Sequence, residues 1–164
     1  MNLKLLLEKQ KELDTLILKN AGITEYPEKE IKLALMVELG ELANEWQGFK
    51  YWKKNKKVDR NKLLEEHADC LHFALSLENE LHQTNEKILN NASIFEEFFI
   101  KGDYGSNDAL SAFNIAYEFI SNDTASILVG VIGLGICLDI SLVEMEQAYL
   151  KKYEKNLERQ AEGY

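Results

Sequence analysis

Apolar positions along the chain recur at spacings of three and four, as they do in helices that bury one face. Leu3, Leu6, Leu7, Gln10, Leu13, Asp14 and Ile17 share one such face, and Gly22 is placed to end that helix. Pro27, with Glu28 and Glu30 behind it, marks the start of a second helix. Proline suits a first turn, and acids there complement the helix dipole. This helix runs to about Gly48. Residues 50–57 hold five lysines and read as a loop. Asp59 is placed to cap a third helix reaching about His82. Residues 85–101 predict a shorter helix, 101–105 a glycine loop and 107–120 another helix. Ser121-Asn122-Asp123 is a turn signal. The chain is helical again from Thr124, with a break near Asp139, and the last helix reaches about Ala161. No window alternates as a strand would. The expected fold is all-α, a four-helix-bundle-like core with additional helices, in a single domain over residues 1–164.

Composition changes this picture little. The 164 residues are 46% apolar and 29% charged, with one proline, which suits long helices and short connections. The net charge of −9 and pI of about 4.9 argue against a surface that grips a nucleic-acid polymer. The two cysteines, Cys70 and Cys137, form no C-x-x-C pair, so a reducing, cytoplasmic setting is expected. The apolar run at the start is too short for a signal peptide. The longest uncharged run, residues 125–138, falls short of the roughly 20 residues that span a membrane. It reads as a buried core helix, and no membrane partner is expected.

The candidate chemistry lies in two short motifs. Glu38-Leu39-Gly40-Glu41 and Glu66-His67-Ala68-Asp69 each space two carboxylates by three residues, with twenty-four residues between Glu41 and Glu66. Residues three apart share a helix face. Glu38 and Glu41 continue the line of Ile31, Ala34, Leu35 and Leu42, and Glu66 and Asp69 that of Leu63, Cys70, Phe73 and Leu77. Acids set in apolar lines are expected to be buried. Buried carboxylates without partners are costly, so four together call for a cation. Oxygen ligands suit Mg²⁺, or Mn²⁺, better than zinc. The ordinary alternative for one Glu-x-x-Glu is a solvated face. His67 and His72 read as packing histidines, and the Glu-x-x-His pairs of a di-iron bundle are absent. In the last helix Lys152, Lys155, Asn156 and Arg159 make one basic face. Cations there complement the helix dipole, and opposite a magnesium site they also make a phosphate clamp.

The spacing of the four acids resembles that of the all-α nucleoside triphosphate pyrophosphohydrolases, which include the MazG proteins. Within that superfamily the chain is most similar to the dimeric dUTPases of bacteria, phages and trypanosomatids. Three further stretches carry the narrower resemblance: Gln10-Lys11-Glu12-Leu13-Asp14, the run from Asn44-Glu45-Trp46 to Trp52-Lys53, and Lys152, Asn156, Arg159-Gln160 and Gly163-Tyr164. The resemblance implies Mg²⁺-dependent hydrolysis of dUTP to dUMP and pyrophosphate in a homodimer. It implies that Glu38, Glu41, Glu66 and Asp69 hold the metal. One carboxylate would serve as general base, and Glu38 is the choice here, because metal ligation and proton transfer can share one residue. Lys152, Asn156, Arg159, Tyr164 and Lys53 would bind the nucleotide, chiefly its phosphates. Phe73 would stack on the pyrimidine, with Gln10, Asp14 and Trp52 near the base. The family favours an amide where this chain has Asp14. Two other readings are a MazG-like enzyme for another triphosphate such as dCTP, and a non-enzymatic helical partner-binding module.

Overall fold

The computed structural model describes residues 1–81, 108–122 and 127–163. Among these residues there are six helices and no strand. The helix expected at 85–101, the glycine loop after it, His82 and Tyr164 lie outside the described residues.

α1, Leu3–Ala21, starts where the Asn2 side chain accepts from the Leu5 N–H and ends at Gly22, whose φ of 68° is left-handed. Leu3, Leu6, Leu7, Gln10 and Leu13 are its buried line, as the periodicity predicts. α2, Glu28–Trp46, begins behind Pro27 and buries Leu35, Leu39 and Leu42. α3, Arg60–Leu81, is capped by Asp59, whose Oδ1 accepts from the backbone of Asn61 and Lys62. Its buried residues run almost around the helix, so α3 is the central one. It packs against α1, α2, α5 and α6.

α4, Ala109–Asn122, is capped by Asp108. α5, Ile127–Cys137, is the short apolar helix expected in the core, and it lies between α3 and α4. The break expected near Asp139 is there: Asp139 has φ 57°, and the chain bends by 116° into α6, Leu142–Ala161. A capping box of Ser141 and Glu144 restarts the helix. No single described helix is long and apolar enough to cross a membrane.

α1 and α6 pack on each other as well as on α3, whereas α2 packs on α3 and α4. The angle left between α2 and the α1–α6 pair, floored by α3, is where polar side chains collect.

Candidate active site

The acidic motifs sit one helical position away from the core. α2 turns Leu35, Leu39 and Leu42 inward, which leaves Glu38 half-buried and Glu41 exposed. Glu66 and Asp69 are likewise half-buried beside the buried Leu63, Ala68 and Cys70. The expectation that all four lie within the buried apolar lines is therefore corrected: they flank those lines and face an open cavity. The physical reason is desolvation: it already raises these half-buried carboxyls, and full burial in the apolar lines would cost more still.

Carboxylate oxygens of Glu38, Glu66 and Asp69 come within 4.8 Å of one another. Glu41 stands outside this trio but lines the same cavity. Burial, then the charges of Asp69, Glu41 and Glu66, raise the Glu38 carboxyl to about 7. Glu66 is raised by burial and by Glu41 and Asp69. These carboxyls resist ionising together. Three oxygen donors converging at this spacing fit a hard divalent cation, and none of them is a nitrogen or sulfur that would favour zinc or copper.

α6 supplies the opposing charge. Lys152 Nζ donates to Asp69 Oδ2 at 2.6 Å and to Glu65 Oε1 at 3.3 Å, and Lys155 Nζ donates to the same Glu65 oxygen at 3.3 Å. Burial opposes the Lys152 charge, but Asp69 and Glu65 outweigh it and hold the ammonium above its usual value. Burial raises Asp69 while Lys152 pulls it back. At a 2.6 Å contact the proton stays on nitrogen and the two form an ion pair. One turn further on, Arg159 Nη1 donates to Asn156 Oδ1 at 3.4 Å, and both residues line the cavity.

The cavity has a volume of about 970 Å³ and is lined from α1, α2, α3, α6 and the 23–27 connection. Beside the acids the lining is mixed, with Phe73, Ile17, Ile31, Gln10, Asp14, His72, Ser76 and Tyr26. The Gln10 Nε2 amide donates to Asp14 Oδ1 at 2.7 Å, and its Oε1 accepts from His72 Nδ1 at 2.7 Å and from the Tyr149 hydroxyl at 3.1 Å. Burial raises the Asp14 carboxyl to about 6, against hydrogen bonds from Ser76 and Gln10. Burial also holds His72 neutral, down at about 3, and His67 at about 4. His67 donates from Nε2 to the Val131 carbonyl at 3.1 Å, consistent with a packing histidine.

The structure thus brings Glu38, Glu41, Glu66, Asp69, Phe73, Gln10, Asp14, Lys152, Asn156 and Arg159 to one cavity. It does not bring Trp52 and Lys53 there. Trp52 is 63% exposed, and Lys53 Nζ donates to Gln47 Oε1 at 2.6 Å within the α2–α3 loop. Tyr164 lies outside the described residues. Glu45, from the Asn44-Glu45-Trp46 run, also lines the cavity, as do three residues for which the sequence suggested no role: Glu65, Tyr26 and Ser76. Glu65, Asp69, His72 and Ser76 follow one line of α3 at spacings of four, three and four, so the signal for Glu65 and Ser76 was present. Tyr26 precedes its helix, and no periodicity points to it.

A family model described as dUTPase matches residues 2–164 of the chain. No curated protein matches it.

Proposed function

The chain belongs to the dUTPase family and is a dUTP diphosphatase, and from that premise we propose that it cleaves dUTP to dUMP and pyrophosphate with a magnesium ion held by Glu38, Glu66 and Asp69, with Glu41 beside them. The observation that supports this most is the shared cavity: three converging carboxylates line it together with a lysine, an amide and an arginine from α6. A triphosphate needs both, because its charge must be neutralised while the leaving group is held. When bound, the cation supplies that neutralisation and makes a water more acidic for in-line attack.

The remaining work falls to side chains of the chain. Lys152 and Arg159 carry phosphate oxygens, the arginine as a fork that can take two. Asn156, bonded to Arg159, orients it. Glu38 faces the cavity among the acids and accepts the proton of the attacking water. Phe73 lies one turn beyond Asp69 on α3 and offers its ring to the pyrimidine. Gln10 and Asp14 meet the base edge, where a hydrogen-bonded pocket can reject cytosine. Exclusion of thymine rests on a single methyl group, worth only about 1–3 kcal/mol by binding alone. A homodimer belongs to the same proposal, and sedimentation velocity reads it directly.

Turnover of dUTP, dCTP and dTTP with and without Mg²⁺, for the natural chain and Glu38→Gln, tests this reading. The expected result is Mg²⁺-dependent release of pyrophosphate from dUTP, reduced at least about a hundredfold in the variant. Turnover unchanged by chelation would overturn the metal assignment. Equal rates on all three nucleotides would overturn the base assignment alone.

A further inference from the structure

Lys152 occupies an unusual place for a side chain assigned to phosphate. Its ammonium is turned onto Asp69 Oδ2 at 2.6 Å, and this is the same carboxylate that converges with Glu38 and Glu66. Only 12% of the Lys152 side chain and 19% of that of Asp69 is exposed, so water screens the pair weakly. An N–H of Lys152 therefore occupies one oxygen of a carboxylate that a cation among the three acids would share. Its positive charge also neutralises part of the cluster that would attract that cation.

Lys152 has a second carboxylate within reach. Glu65 Oε1 lies 3.3 Å from its Nζ, on the outer side of Asp69 where Lys155 also pairs. Glu65 is about half exposed and belongs to both the main cavity and a smaller neighbouring one of about 350 Å³. The ammonium can leave Asp69 without becoming unpaired, which keeps the exchange inexpensive.

We propose that Lys152 is the resident counter-ion of the acidic cluster, exchanged from Asp69 when a divalent cation enters and thereby released to the substrate phosphates. The inference rests on the metal-dependent reading above and adds to it a coupling between the two ligands. Without a nucleotide, Lys152 competes with the metal. With one, the lysine has a phosphate to pair with, and the competition ends.

Mn²⁺ binding to the purified full chain, measured by electron paramagnetic resonance, tests this without any turnover. Lys152→Met is expected to bind Mn²⁺ about tenfold more tightly than the natural chain in the absence of nucleotide. Lys155→Met makes the same charge change without touching Asp69, and its affinity is expected to stay within about twofold. Lys152→Gln repeats the first measurement, with circular dichroism checking that each variant is folded. When a non-hydrolysable α,β-imido analogue of dUTP is bound, the advantage of Lys152→Met is expected to vanish. Equal Mn²⁺ affinity of the natural chain and both Lys152 variants overturns the counter-ion role. An advantage that persists with the analogue bound overturns the release to phosphate. If no chain, natural or variant, binds Mn²⁺, the metal-dependent reading itself fails and this inference falls with it.

Discussion

The Gln10 amide donates to Asp14 because its carbonyl is already committed to His72. Oε1 accepts from His72 Nδ1 at 2.7 Å and from the Tyr149 hydroxyl at 3.1 Å, so the NH₂ group faces Asp14 Oδ1 at 2.7 Å. The chain of bonds fixes the orientation of Gln10 and the tautomer of His72, whose ring stacks on Tyr149 with centroids 4.2 Å apart. Ser76, bonded to Tyr26 at 2.8 Å, supports Asp14 from α3. This part of the cavity lining is therefore held by its own hydrogen bonds, at the expense of burying a carboxyl.

That burial predicts a pH-dependent effect of Asp14→Asn. The folded-state value of about 6 lies above the ordinary 3.8, so the fold favours the protonated form. The stabilising contribution is fully present below about pH 4 and is lost as the pH rises through about 6. Asparagine keeps an acceptor for Gln10 and never ionises. Urea denaturation should show Asp14→Asn more stable than the natural chain by about 1–3 kcal/mol at pH 8, and no difference at pH 4. A gain of the same size at both pH values would contradict the burial account.

Phe73→Ala separates binding from chemistry. The ring is half-buried against the core and lines the cavity one turn beyond Asp69. If it stacks on the pyrimidine, its loss removes about 1–3 kcal/mol of base contact, felt equally in ground and transition state. The KM for dUTP should rise at least about tenfold while kcat changes little. A fall in kcat with KM unchanged would point instead to disturbance of Asp69.

Gly135 shows how closely α5 approaches α3 and α6. A Cβ there would lie 2.4 Å from His67 Nε2 and 2.4 Å from Met145 Cε. Met145 can move, but His67 is buried and tied to the Val131 carbonyl on the same helix. Gly135→Ala should therefore destabilise the fold by about 1–3 kcal/mol, despite the helix preference for alanine of roughly 1 kcal/mol. A thermal midpoint at or above that of the natural chain would show that α5 is looser than this packing implies.

Ser141→Ala removes one side of the capping box at the start of α6. Ser141 Oγ accepts from the Glu144 N–H and donates to Glu144 Oε2 at 2.7 Å, while Arg60 holds the same glutamate at 2.7 Å. A lost cap costs about 1 kcal/mol, a drop of roughly 2–4 °C in a chain of this size. Lys152 lies three turns further on, so the KM for dUTP should be unchanged. A rise in KM would mean that fraying reaches the phosphate face.

Much of this was legible in the order of residues. The apolar line of α1, the ends at Gly22 and Pro27, the cap at Asp59 and the break near Asp139 all appear where local rules place them. Such features depend on neighbours within about one turn, which the sequence contains. The acids and the basic face that line the cavity were legible because they too recur at helical spacings. The α2–α3 loop was not legible in this way. Trp52 and Lys53 have no periodicity to fix their direction, and neither is part of the cavity lining.

Taken alone, the sequence determined the helices, the pairing of acids on two of them and the basic face on a third. Only the tertiary structure decided that Glu38 and Glu41 flank the core instead of entering it, because the offset of one residue depends on how α2 rotates against α3. It also decided that Lys152 reaches Asp69, eighty-three residues away. Burial, charge and a hydrogen-bonding partner act on a carboxylate through space, and spacing along the chain does not specify which of them it will meet.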